Sequence, residues 1–122
     1  MSDTALVVKV PSYQHLIWPA LHALRSLGGS GSKGDIFERL GVQEGYTPAQ
    51  LGRLKVGGTE GEIRSRLSWA LSDLKRLGVI EQGAGRAEWI VTPAGESIER
   101  AELVAAFKAM RSERTMRKAS AG

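Results

Sequence analysis

Few residues in this 122-residue chain are of types that carry covalent chemistry. Cys is absent, which removes thiolate nucleophiles, thiolate metal sites and disulfides together. His15 and His22 stand seven apart, on one side of a helix-patterned stretch. Two His without a third ligand make a poor zinc site, so surface histidines are expected. Nothing is spaced as a Ser-His-Asp set, a phosphate loop or a pair of facing carboxylates. Glu60 and Glu62 fall where a helix begins, and a helix dipole favours carboxylates in its first turn. The chain is therefore read as non-enzymatic, with no metal and no small-molecule cofactor.

The chemistry that remains is non-covalent and basic. Lys and Arg number 17 against 13 Asp and Glu, a formal net charge of +4, and the pI is near 9.8. Such a balance favours a polyanionic partner, most often nucleic acid. The excess lies in the second half, densest at Arg111, Arg114, Arg117 and Lys118. A second set is ordered by periodicity. On a helix, Arg64, Ser65, Ser68, Ser72 and Lys75 gather in one sector of roughly 100°, which holds donors and short hydroxyls and no carboxylate. Arg64 suits guanine or phosphate, Ser65 and Ser68 are short enough to allow close approach, and Lys75, near the far end, suits a phosphate or solvent. Thr59, where that helix is expected to begin, Lys33 at the start of an earlier helix, Arg53 and Lys55 in a loop, and Arg86 at a turn complete the candidate DNA-contacting set. Trp69 lies off the apolar stripe and is expected to pack under the segment 41–58.

These residues need elements to hold them. Ser12 is placed to cap a helix over 13–27, with Leu16, Ile17, Ala20, Leu21, Leu24 and Leu27 at helical spacing, a bend at Pro19 and a stop at Gly28-Gly29. Ser32 opens a helix of about two turns ending at Gly41, and Thr47-Pro48 opens a short one. Thr59 with Glu62 fits a capping box for the clearest helix, whose Ile63, Leu67, Ala70, Leu71, Leu74 and Leu77 follow the 3.6 period up to Gly78. Residues 79–82 and 87–91 read as strands around a turn at 83–86. Thr92-Pro93 opens a last helix to about Arg114. The run Leu6–Val10 is either an added strand or a loose arm.

The pattern predicts a mainly α chain with a small β-hairpin, a winged helix-turn-helix with an added C-terminal helix. Its parts are an arm over 1–11, a winged-helix domain over 12–95, a C-terminal helix over 96–118 serving dimerisation, and a frayed tail. In such a domain one helix enters the major groove and the hairpin rests beside it, Arg86 meeting the backbone or the minor groove.

The stretch VPSYQHLIWPALHAL (10–24) resembles the start of the N-terminal domain of Mrr-type restriction proteins. SRLSWALSDLKRLGVIEQ (65–82) and VTPAG (91–95) are similar to later parts of that domain, so the resemblance runs over about residues 10–95. It implies a winged-helix domain that carries DNA to an attached nuclease. The nuclease half of the family is not found in this sequence. No Glu-x-Lys or Gln-x-Lys triplet occurs, and the nearest, Asp73-Leu74-Lys75, lies inside a helix without a preceding Pro-Asp and reads as surface charge.

The expected function is binding of double-stranded DNA, as a transcriptional regulator, an architectural protein or a restriction-associated factor in the cytoplasm at the nucleoid. The alternative is a winged-helix module that docks on protein and not on DNA. No stretch approaches the roughly 20 apolar residues that span a bilayer. The last helix carries two apolar stripes, Ile98, Ala101, Ala105 and Ala109 on one side and Leu103, Phe107 and Met110 on the other. The second predicts a homodimer interface.

Overall fold

The computed structural model describes residues 13–52, 61–85 and 88–121. In chain order the elements are α1 (Tyr13–Ser26), β1 (Ser30–Ser32), α2 (Lys33–Glu44), α3 (Pro48–Gly52), α4 (Glu62–Arg76), β2 (Ile80–Gln82), β3 (Glu88–Val91), α5 (Pro93–Ser97) and α6 (Arg100–Ala121). The fold is mainly helical, with a small antiparallel sheet of three strands in the order β1-β3-β2. Among the described residues no helix is long and apolar enough to cross a membrane.

The two best-patterned stretches form the centre. Leu16, Ile17, Ala20, Leu21 and Leu24 of α1 and Ile63, Leu67, Ala70, Leu71 and Leu74 of α4 are all buried, and these two helices make the most extensive contact in the fold. Alanines at positions 20, 23 and 70 are fully buried as well. Pro19 sits inside α1 without ending it, and its carbonyl accepts a hydrogen bond from Gln43 Nε2 at 3.1 Å.

Helix α2 runs one turn further than its glycine suggested. Gly41 lies within the helix, where a Cβ would stand 3.8 Å from the Leu51 side chain of α3. The left-handed residue that closes the helix is Gly45, at φ +66°. At its start, Ser32 Oγ accepts from the Asp35 amide while the Asp35 carboxylate accepts from the Ser32 amide, a reciprocal cap. Thr47 and Gln50 repeat this arrangement at α3. The box expected from Thr59 and Glu62 does not start α4. The N-cap is Gly61, with no side-chain bond, and Glu62 pairs one turn forward with Arg66 at 2.8 Å; Thr59 lies outside the described residues.

Two further differences come from long-range contacts. β1 is Ser-Gly-Ser, a strand without any apolar residue. It forms because β3 offers an open edge: Ser30 pairs with Ile90, Ser32 with Glu88, and the Val91 amide donates to the Gly29 carbonyl at 2.8 Å. The last helix is not continuous. Thr92-Pro93 opens only α5, which Thr92 caps through the Gly95 amide. The chain is extended at Ile98 (ψ 138°) before α6 begins. Arg25 lies at the break. Its guanidinium donates to the carbonyls of Gly95 and of Ile98, acceptors that the end of a helix leaves open. Helix α5 also lies so close to Val79, the residue before β2, that a Cβ on Gly95 would overlap its carbonyl oxygen.

Helix α6 has 22 residues, about 33 Å at 1.5 Å per residue. Its Leu103 and Phe107 enter the core of their own chain, and Met110 is half-buried against that core. The stripe expected at an interface between two copies is thus accounted for within one. The opposite stripe exposes only alanines 101, 105 and 109.

Candidate nucleic-acid interface

Helix α4 is held from behind by α1, and α2 and α3 pack against it as well. That packing decides which of its polar side chains are open. At the N-terminal end the Arg64 guanidinium lies over the Phe37 ring of α2, 5.4 Å from its centre. One of its nitrogens comes within 3.8 Å of where a Cβ on Gly34 would stand. Arg64 is therefore half-buried at the start of α2, beside the residue that follows Lys33, and is not a free arm. A cation over an aromatic face in such a position holds by electrostatic attraction to the ring, which fixes where the guanidinium is presented. Lys33 is itself half-buried. The structure thus brings Lys33 and Arg64 into one neighbourhood.

Ser65 corrects the periodicity. It belongs to the sector read as open, yet it is only 9% exposed. From Ser68 onward the face opens. Ser68 is half-buried, while Ser72, Lys75 and Arg76 are exposed. Trp69 corrects the expectation of a covered ring: it is 64% exposed, in mid-helix between the two serines. Lys75 reaches the hairpin, where its ammonium donates to Gln82 Oε1 of β2 at 3.3 Å. Helix face and hairpin are in this way one continuous surface. Its helical part is Ser68, Trp69, Ser72, Lys75 and Arg76, which contains no carboxylate. The hairpin is less uniform, since Glu81 is exposed and the Glu88 carboxylate lies against Gly83. Of the remaining candidates, Arg53, Lys55, Thr59 and Arg86 lie outside the described residues.

The model of the Mrr N-terminal domain matches residues 13–101, nearly three-quarters of the chain. The chain belongs to the Mrr N-terminal domain family. No curated protein and no solved structure matches it. Within this Mrr-type chain only the N-terminal domain of the family is found, and not its nuclease domain. The match spans every element from α1 to α5 and ends at the start of α6. It includes Gly95, whose close approach to Val79 gives a physical reason for glycine in the Val-Thr-Pro-Ala-Gly segment.

Two of the basic residues beyond the match, Arg111 and Arg114, are engaged within the fold. Asp73, read from sequence as surface charge, is 6% exposed and pairs with Arg114 of α6 at 3.0 Å. Arg111 sits over the Phe107 ring at 5.8 Å. The side chains of Arg117 and Lys118 lie outside those described. Of the charge that looked densest in the sequence, Arg114 ties α6 to the Mrr-type domain. His15 and His22 are both exposed, the latter beside Trp18 at 6.0 Å between rings. Among the described residues no group of three or more potential metal ligands is found.

Several of these features had weak signals in the sequence. Trp69 and Arg76 lie 40° and 20° beyond the edge of the sector first drawn, at 100° per residue, and belong to it once Ser65 is covered. Arg25 reads in sequence only as the basic end of α1. Asp73 has Arg76 three residues ahead as a local candidate, yet the cation it meets is 41 residues away.

Proposed function

We propose that this chain is a winged helix-turn-helix that binds double-stranded DNA, with α4 entering the major groove and the β2–β3 hairpin lying beside it. The reading rests first on the open face of α4, with its hydroxyls, Lys75, Arg76 and no carboxylate. A polyanion approaches such a face without repulsion, and a major groove admits one helix of this size. The order helix, strand, helix, short helix, helix, hairpin, with β1 on the outer edge of the hairpin, supports the winged-helix assignment. Membership of a family named for restriction proteins agrees with it. Lys75 and Arg76 meet phosphates, Ser68 and Ser72 allow close approach, and Arg64 and Lys33 flank the site where the backbone passes α2. The chain serves as a regulator or a restriction-associated DNA-binding factor, without catalysis of its own, in the cytoplasm.

The salt dependence of binding tests this. The slope of log K against log salt is expected to fall by about one unit for Lys75→Ala and again for Arg76→Ala, with the circular dichroism unchanged. Unaltered affinity and slope in the double variant overturn the reading.

The exposed ring of Trp69 favours a second reading, docking on protein, since a large aromatic is a common anchor at protein interfaces. Binding through Trp69 to a protein would persist at salt concentrations that abolish phosphate contacts.

A further inference from the structure

A groove of about 880 Å³ separates α1 from α6. Its apolar lining includes Trp18, Val104, Phe107 and the exposed Met116, and Arg100, Lys108 and Arg111 lie along its α6 side. No carboxylate is found among its described lining residues, although the chain carries 13 Asp and Glu. The cations recur on one face of α6 at positions 100, 108 and 111, spread over about 16 Å. Arg111 is oriented by the Phe107 ring beneath it. Lys108 and Arg100 are exposed, so their heads reach whatever lies over the apolar lining. The volume falls within the range of small-molecule sites, about 300–1,000 Å³.

From this pairing of apolar lining and cationic side we propose that the α1–α6 groove binds a soluble amphiphilic organic anion, an apolar body with one carboxylate or similar head. The body lies along Trp18, Val104 and Phe107, and the head lies toward Lys108 and Arg111. A neutral or cationic molecule of the same body gains the apolar contact alone. The proposal stands apart from the DNA-binding reading, because the groove uses none of the residues of the α4 face. A ligand that touches both α1 and α6 also stabilises the folded chain by mass action.

The test uses the full chain and dodecanoate below its micelle concentration, with dodecyltrimethylammonium as a probe of equal body and opposite head. Dodecanoate is expected to raise the melting temperature and to give a saturable calorimetric titration of one site, and the cationic probe to give neither. Arg100→Glu with Lys108→Glu, both at exposed positions, is expected to weaken dodecanoate roughly tenfold, a change of about 1.4 kcal/mol, without lowering the melting temperature of the unliganded protein. Val104→Trp is expected to fill the groove and remove binding. Equal binding of the two probes overturns the proposal, as does dodecanoate binding that survives both sets of substitutions. Binding that appears only after deletion of residues 2–11 assigns the groove to the chain's own N-terminal segment and overturns it as well. Capture by phosphatidylglycerol vesicles with no binding of free dodecanoate assigns the groove to a membrane surface and likewise overturns the proposal.

Discussion

At the scale of single residues, several side chains act through partners far away in the chain. Gly95→Ala is expected to destabilise by about 3 kcal/mol, the upper end of what overpacking costs, because its Cβ would meet the Val79 carbonyl and not a flexible side chain. Chemical denaturation measures this, and an unchanged midpoint would contradict the close approach. Arg25→Lys keeps the charge yet loses the fork that serves the Gly95 and Ile98 carbonyls, so it is expected to cost about 1–2 kcal/mol. Tyr46 supplies a pH test. Burial, and secondarily the charge of Glu44, pushes its hydroxyl up to about 12. The folded state then holds a proton that the unfolded chain has released, from about pH 10 to about pH 12. Its contribution is present in full below pH 10 and is lost as pH rises through that window. Tyr46→Phe should abolish this part of the alkaline slope in denaturation curves, and parallel slopes for the two proteins would argue against a raised pKa.

At the scale of elements, α4 carries two opposed duties. Its core face fixes it to α1, and its side holds Asp73 against Arg114. Arg114→Ala leaves a carboxylate that is buried away from its cation. Because Arg114 is itself partly exposed, we expect only about 1–2 kcal/mol of lost stability. A double-mutant cycle with Asp73→Asn should show coupling between α4 and α6, and additive effects would break the link. The open face of α4 is tested by Trp69→Ala. A ring that is 64% exposed contributes little to the fold, so the melting temperature should hold within a few degrees, which corresponds to well under 1 kcal/mol. DNA affinity should fall with little change in the salt slope, which separates the ring from Lys75 and Arg76.

For the whole molecule, α6 is part of the core. Phe107 is 5% exposed in the single chain, and Phe107→Ala is expected to cost about 3–4 kcal/mol at any protein concentration. If the Leu103, Phe107 and Met110 stripe instead formed an interface between copies, the loss would depend on concentration and vanish in dilute protein. Melting at two concentrations a hundredfold apart distinguishes these outcomes.

What the sequence by itself determined is local. The 3.6 periods of α1 and α4, the cap at Ser32, and the strand runs of β2 and β3 depend on residues within a few positions of one another. The family resemblance also rests on such stretches. The tertiary structure decided which side of a helix is open and where an element ends. Ser65 and Trp69 both lie off the apolar stripe on a helical wheel, yet one is 9% and the other 64% exposed. Ser-Gly-Ser is a strand only because β3 offers it an edge, and the carbonyls at the end of α5 are met by Arg25, some 70 residues earlier. Asp73 looks like surface charge until α6 brings Arg114 to it. Hydrogen-bond partners and burial are properties of residue pairs distant in sequence, and no periodicity along one stretch encodes the identity of the second member.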